Sequence, residues 1–326
     1  MPRKKDSMNV NSEHTKSARS ATPTKEDILQ FIRSSTGNIG RREIARAFSI
    51  KGSDRIELKR VLKELAADGL IVARRNLTRV PRIPELAIFA ILQSIMFVAL
   101  FAVVFGGAIP LPGYTDPGAY REYLMPGIFV QTIAFALVTT AIGMCEDVNK
   151  GIIDRFRSLP MARSAVLTGR TSADVVYNAG ILVVLMISGL VVGWRVESSI
   201  PGFLAGIVLL LGFAFVMSWI GVWFGLSVPT VEVAQQVAFV FIFPLTFVSN
   251  VFVPLQSLPD WLRPFAEWNP VSTLTTALRD LWGNPNPYKG TALASTEPVL
   301  VTIGWFVVLI AIFVPLGIRR YRSMSR

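Results

Sequence analysis

The stretch FLAGIVLLLGFAFVMSWIGVWFGL, residues 203–226, decides the fold of this chain. It contains no Lys, Arg, Asp, Glu or His, and a helix needs roughly 20 such residues to cross about 30 Å of hydrocarbon. Five further runs share this property, at residues 86–105, 124–145, 175–193, 233–253 and 299–317. A soluble domain would have to bury six such helices completely, so the sequence predicts an all-α polytopic membrane protein.

The overall composition agrees with a membrane protein. The 326 residues are 52% hydrophobic, and the mean hydropathy is +0.48. No apolar segment precedes residue 86, so we expect no cleavable signal peptide. One cysteine, Cys145, excludes an intrachain disulfide, and one histidine, His14, leaves a metal site without its usual ligands. We therefore expect this chain to bind neither a metal nor another cofactor.

The distribution of positive charge predicts the orientation in the membrane. The net charge is +11, and most of the excess lies in residues 1–82. If the N-terminus is cytosolic, three cytosolic flanks lie next to the apolar runs, at residues 74–82, 150–170 and 319–326. These flanks carry more Lys and Arg residues than the outer loops do, as the positive-inside rule requires. We expect both termini to lie in the cytoplasm.

The region before the first apolar run divides into a tail and a small module. Residues 1–22 are basic, polar and without apolar periodicity, which predicts disorder. Residues 23–72 show three helical patterns followed by the start of a strand, the order of a winged helix. The stretch GRREIARAFSIKGSDRIELKRVLKELAADGLI resembles the winged-helix region of the bacterial ribonuclease R family. The metal-binding aspartates of that family have no counterpart downstream, so nuclease activity does not carry over.

Three basic residues on the third helical pattern of this α+β module are candidates for contact with nucleic-acid phosphates: Lys59, Arg60 and Lys63. A solvated basic face close to anionic lipid explains the same residues.

The connection between the fifth and sixth runs, residues 254–298, is long for a loop without structure. Apolar residues recur at helical spacing on either side of Asn269-Pro270: Leu258, Trp261, Leu262, Phe265, Trp268, Val271, Leu274, Leu278 and Leu281. Because Trp favours the membrane interface, we predict two short amphipathic helices that dip into the outer leaflet.

A charged segment, GIIDRFRSLPMARS at residues 151–164, separates the second and third runs. As a helix it would place Ile152, Ile153, Phe156 and Leu159 on one apolar stripe, opposite Arg155 and Arg157. The pattern predicts a short amphipathic helix. The residues alone fit a helix resting on lipid, an ordinary basic loop that sets topology, or a helix that docks on a protein.

Five stretches resemble the ABC type-2 permeases, and in particular the daunorubicin-resistance-type drug-efflux permeases: RNLTRVPRIPELAIFAILQSIMFVALFAVVFGGAI, YLMPGIFVQ, GIIDRFRSLPMARSAVLTGR, FPLTFVSNVFVPLQSLPDWLRPFAEWNPVS and ALRDLWGN. They occur in family order within residues 73–326. The resemblance implies a six-helix exporter domain with an outer helical hairpin, in the inner (plasma) membrane of a bacterium. It also implies pairing with a second permease copy, a homodimer.

The same resemblance implies a role for the charged segment. In the family, the segment after the second span is a coupling helix that docks on a separate ABC ATPase subunit. By this resemblance, Ile152, Ile153 and Phe156 would be its anchors, and Arg155 and Arg157 its polar rim.

Two absences in the sequence bear on the energy source. The chain has no G-x-x-x-x-G-K-[ST] phosphate loop, and its apolar runs hold no ionisable side chain that would carry protons or sodium. We therefore expect the chain not to be an enzyme, with ATP and Mg bound by the partner subunit. Two alternatives are a membrane-tethered regulator, which would need only one span, and an ion-coupled carrier, which would need ionisable residues.

Polar residues within the apolar runs are candidates for a translocation pathway. They include Gln131, Asn178 and Asn250. Hydrogen bonding between helices is the default role of such residues, and contact with a substrate is the alternative. A mostly apolar pathway suits a hydrophobic or amphipathic compound.

Overall fold

The computed structural model describes residues 111–152 and 163–324, apart from 115, 117, 289 and 291. It also describes Leu92, Ile95, Met96 and Ala99 as helical residues within the first apolar run, followed by residue 100. The predicted tail 1–22 and the winged-helix-like module 23–72, including Lys59, Arg60 and Lys63, lie outside the described residues.

The described chain is helical, as the sequence predicts. In chain order its helices are α1 (Ala119–Asn149), α2 (Arg163–Val192), α3 (Ile200–Ser227), α4 (Val231–Phe247), α5 (Arg263–Trp268), α6 (Pro270–Trp282), α7 (Leu293–Thr296) and α8 (Pro298–Ser323), with a 3₁₀ turn at Leu255–Ser257. Four helical stretches are long and apolar enough to cross a membrane: α1, residues 167–192 of α2, α3 and α8. The shorter α4 is also apolar.

Local sequence explains where several helices begin and end. The Ser199 and Thr230 hydroxyls accept hydrogen bonds from the N–H groups of Gly202 and Val233, which caps α3 and α4. Asn269 caps α6 in the same way, with Pro270 at its first position, and Gly283 ends that helix in the left-handed region at φ +73°.

α4 ends at Phe247, although the apolar run continues to residue 253. The chain from residue 248 turns back against α1 instead. There the Tyr123 hydroxyl donates to the Asn250 carbonyl at 2.8 Å, and the Tyr120 hydroxyl donates to the Phe252 carbonyl at 3.1 Å. Non-helical backbone inside a membrane protein requires such buried partners, because lipid offers no hydrogen bonds.

α1 lies in the middle of the bundle and contacts α2, α3, α4 and α6. Its closest approach is to α3, where Gly221 and Gly225 repeat at the four-residue spacing of membrane helix contacts. A Cβ atom on these glycines would lie 2.6 Å from the Leu137 carbonyl oxygen and 2.5 Å from that of Ala141. The two backbones can touch only because both positions are glycine.

Large apolar side chains cover the outside of the bundle. α2 exposes Val176, Val183 and Ile187, and α8 exposes Val307 and Ile312, among others. Exposed aliphatic residues over whole helix faces would be unfavourable in water and are typical of lipid contact. The described helices therefore form a multi-pass membrane bundle.

The helical hairpin predicted between the last two spans is confirmed, but its two helices differ. α5 and the turn before it expose Trp261, Phe265 and Trp268, as expected for a helix in contact with lipid. α6 is instead buried along residues 270–279 and contacts α1, α3 and α8. The second half of the hairpin is thus packed in the protein core, and its depth in the outer leaflet stays a prediction.

Candidate functional site

The bundle has two ends that carry different features. The segment end is where α1 ends at Asn149 and α2 begins at Arg163, on either side of the charged segment. The hairpin end holds the α2–α3 connection, α5 and α6. α1 runs between them over 31 residues, about 45 Å of helix.

At the segment end, α1 finishes with an ion pair between Lys150 and Glu146 at 2.8 Å, followed by Gly151 at φ +65°. Ile152 comes next and is partly buried. The other four residues predicted to dock on an ATPase, Ile153, Arg155, Phe156 and Arg157, lie outside the described residues. The docking role of all five stays a prediction.

The three polar residues proposed from the sequence lie at different depths. Asn250 contacts α1 at Tyr123, whereas Gln131 lies eight residues further along α1, about 12 Å away along its axis. Asn178 is nearer the segment end, where its amide donates to the Asp174 carbonyl of its own helix at 2.7 Å. The structure does not bring the three together into one site.

These residues also differ in how well their hydrogen bonds are satisfied. Asn250 donates through its amide to the Thr276 hydroxyl at 2.8 Å. Its Oδ1 atom, and Nε2 of Gln131, are buried and have no hydrogen-bond partner among the described residues. Asn178 therefore fits a role within its helix, whereas Gln131 and Asn250 retain unused polar atoms.

Arg279 of α6 is a buried cation that is not among the site residues predicted from the sequence. Its side chain is fully buried, with Nε donating to the Tyr123 carbonyl and Nη2 to the Asn250 carbonyl, both at 2.9 Å. Its guanidinium carbon lies 3.5 Å from the centre of the Tyr123 ring. No ion pair among the described residues includes Arg279, so carbonyl oxygens and the ring face stabilise its charge.

Arg279 joins three separate parts of the chain at the hairpin end. It connects α6 with α1 and with the non-helical turn after α4. In the sequence, this arginine lies in the long connection between the fifth and sixth apolar runs. Its position within the apolar and Thr-rich stretch of α6 was the one available signal that it is buried.

The two tips of α6 are held as well. At its start, the Asn269 amide donates to the Leu245 and Val248 carbonyls at the end of α4, at 2.7 and 2.6 Å. At its end, Trp282 packs edge-on against Trp194 and Phe129 with ring centres 5.4 and 5.9 Å away. α6 is therefore fixed to α1, α4 and the α2–α3 connection.

The loop between α6 and α8 is attached to the end of α5 through a buried carboxylate. Glu267 accepts hydrogen bonds from the Ser295 hydroxyl and, at 3.4 Å, from the Tyr288 hydroxyl. Burial, together with the charge of Glu267, raises the pKa of the Tyr288 phenol. The phenol thus stays protonated and able to donate over a wider pH range than an ordinary tyrosine.

α2 carries two ionisable residues within its membrane-spanning stretch, Arg170 and Asp174. The span predicted from hydropathy begins at residue 175 and therefore holds no ionisable side chain. The helix begins earlier because both charges have partners in α1. No group of three His, Cys, Asp or Glu residues that could hold a metal ion occurs in the described part of the chain.

A comparison with known protein families covers most of this bundle. Residues 69–281 match the family of ABC-2 type transporters. The chain belongs to this family. The match covers α1 to α5 and all of α6 except its last residue, and it begins near the end of the predicted winged-helix-like module.

Several relatives of this ABC-2 protein are permeases named for drug resistance. The daunorubicin resistance ABC transporter permease DrrB1 of Streptomyces coeruleorubidus is 29% identical over 74% of this chain and 81% of its own length. The probable doxorubicin resistance ABC transporter permease DrrC of Mycobacterium tuberculosis is 26% identical, over 78% of this chain and 89% of its own. The putative transport permease ycf38 of Cyanophora paradoxa is 22% identical over 78% and 88%.

Proposed function

We propose that this chain is the membrane subunit of an ABC exporter. It would move a hydrophobic or amphipathic compound out of a bacterial cytoplasm across the plasma membrane, with both termini cytosolic. ATP and Mg would be bound and hydrolysed by a separate ATPase subunit. Membership of the ABC-2 family and the permease names of the relatives support this proposal.

One structural observation carries the proposal: a single helix connects the two ends of the bundle. α1 contacts the Arg279 group through Tyr123 and leads directly into the segment at 150–163. A helix packed along most of its length moves as a rigid body. Force applied to the segment would therefore reach the hairpin end through α1.

The segment between α1 and α2 is the proposed contact with the ATPase. Ile152, Ile153 and Phe156 would enter a groove of that subunit, while Arg155 and Arg157 would stay at the solvated rim. A helix that only rests on lipid would present the same apolar stripe, so the two roles differ in whether these residues affect binding of the ATPase.

A second copy of the chain is the proposed partner within the membrane. α4 buries one stripe, Ala234, Ala238, Ile242 and Thr246, against the rest of the bundle. Its other faces expose apolar side chains, including Val240, Phe243 and Phe247. A homodimer that covers these faces would place α4 and the neighbouring α1 beside a central pathway.

The unused polar atoms of Gln131 and Asn250 support a role for these two residues in that pathway. The relatives' names refer to daunorubicin and doxorubicin resistance, so a planar amphipathic cation is the first compound to test. Asn178 is the weaker candidate, because its amide is already bonded within α2.

Inside-out membrane vesicles that contain the chain and a co-expressed ABC ATPase would test this function. Doxorubicin fluorescence would report uptake into the vesicles when ATP is added. We expect uptake with the wild-type ATPase and none when the lysine of its phosphate loop is replaced, since that lysine holds the nucleotide phosphates. Equal uptake with both ATPases would contradict the proposal.

A further inference from the structure

A buried cluster of charges joins α1 to α2 near the segment end. Arg170 of α2 donates through Nη1 to the Asp147 carboxylate of α1 at 2.7 Å, and its Nε lies 3.5 Å from the Asp174 carboxylate. Asp174 in turn accepts a hydrogen bond from the Thr140 hydroxyl of α1 at 2.9 Å. We call Thr140, Asp147, Arg170 and Asp174 the Arg170 clamp.

The clamp is shielded from solvent. The side chains of Arg170, Asp147 and Asp174 retain 12%, 7% and 18% of their exposure. Charges in such a position interact more strongly than surface pairs, and loss of one partner leaves another buried charge uncompensated. The Arg170–Asp147 pair is therefore expected to hold α1 and α2 together more strongly than an ion pair on an exposed loop would.

The backbone of α1 is shaped to receive the guanidinium. Gly143 lies directly beneath Arg170, and a Cβ atom added there would overlap with Nη2. Any other residue at this position would force the guanidinium to shift. The two carboxylates and Gly143 thus both help to place the Arg170 guanidinium between α1 and α2.

The clamp lies next to the segment predicted to meet the ATPase. Asp147 lies just before the end of α1, and Arg170 lies two turns after the start of α2, so the clamp ties together the two helices that flank residues 150–163. A displacement of that segment moves the two helices as one unit only if their ends are tied. Without the tie, α2 would be held mainly by its contacts with α3, because much of the rest of its surface is exposed.

We propose that Arg170 is a positioning residue for transport: it makes α1 and α2 move together when the ATPase displaces the segment between them. The inference rests on the proposed function and deepens it. Arg170 contacts neither the substrate nor the nucleotide in this account. Its effect is to convert movement of the segment into movement of the bundle.

Three substitutions separate this role from a purely structural one. Arg170→Gln removes the cation, Gly143→Ala displaces it with no loss of charge, and Arg170→Lys keeps the charge without the planar fork that bridges two carboxylates. Gly180→Ala is the matched control, since it lies on α2 with nothing within 4 Å of the added Cβ.

The experiment uses proteoliposomes that hold the full chain and its ATPase, with ATP hydrolysis and doxorubicin transport measured in the same sample. We expect Arg170→Gln and Gly143→Ala to retain the ATPase subunit and its hydrolysis while transport per ATP falls about tenfold, within the usual range of coupling between sites. Arg170→Lys should recover part of the loss, and Gly180→Ala should match the wild type.

The outcomes distinguish the clamp from the function on which it rests. A wild-type complex that shows no ATP-dependent transport would refute both the proposed function and the clamp. In a wild-type complex that transports, an unchanged transport per ATP in Gly143→Ala and Arg170→Gln would overturn the clamp alone. The clamp would equally be overturned if transport, hydrolysis and recovery of the complex fell in parallel, because Arg170 would then only hold the fold together.

Discussion

Arg279 and Tyr123 form the contact that fixes the hairpin to the central helix. The guanidinium lies over the Tyr123 ring at 3.5 Å and also donates to the Tyr123 carbonyl at 2.9 Å, although 156 residues separate the two in sequence. The Tyr123 hydroxyl completes the arrangement by donating to the Asn250 carbonyl, which Arg279 also contacts. One side chain thus organises three separate segments of the chain.

Replacement of this arginine should destabilise the protein. Arg279→Met keeps much of the buried volume but leaves carbonyl oxygens of Tyr123 and Asn250 without a donor, at a cost of about 3 kcal/mol. The thermal unfolding temperature of the purified protein in detergent would show the loss. Arg319→Gln, at an exposed arginine near the end of α8, is the control and should leave that temperature unchanged. Equal temperatures for both variants would contradict a structural role for Arg279.

The contact between α1 and α3 makes a separate prediction. Gly221→Ala and Gly225→Ala place a Cβ atom against backbone oxygens that have no room to move, so each should lower stability by about 1–3 kcal/mol. Gly304→Ala, with open space around it on α8, should be neutral or slightly stabilising, since Ala favours the helix. The measurement is again thermal unfolding. A loss of stability in Gly304→Ala as large as in Gly221→Ala would contradict the close packing of α1 against α3.

Hydropathy located four long membrane helices because their apolar runs are long, but it placed the start of the third span after Asp174. The helix begins earlier, at Arg163, since Arg170 and Thr140 of α1 stabilise the Asp174 carboxylate. The partners of Arg279 were not predictable, because most of them are backbone carbonyls, which leave no mark in a sequence. The break after Phe247 depends on Tyr120 and Tyr123, which lie more than a hundred residues earlier.

Removal of residues 1–72 should leave membrane insertion and transport intact. The family match begins at residue 69, and the described helices make up the bundle from residue 119 onward. Transport by the shortened chain in the vesicle assay, at matched expression, would check this. Loss of transport with normal insertion would show that the N-terminal module is part of the transport mechanism.

The predicted coupling helix can be tested by retention of the ATPase. If Phe156 is a buried anchor, Phe156→Ala should cost about 2 kcal/mol of binding, roughly thirtyfold in affinity. Arg157→Ala, on the solvated rim, should cost much less and mainly alter the salt dependence. Co-purification of the ATPase with each variant, at matched expression, is the measurement. Equal recovery with wild type, Phe156→Ala and Arg157→Ala would favour a helix that rests on lipid.

The central claim, that this chain depends on a separate ATPase, is tested most directly by ATP hydrolysis and transport in defined proteoliposomes. Three preparations are compared: the chain alone, the ATPase alone and both together. Since the chain has no phosphate loop, it should neither hydrolyse ATP nor transport doxorubicin alone, and transport should occur only when both are present. Robust ATP hydrolysis by the chain alone, or ATP-driven transport without the second subunit, would contradict the account.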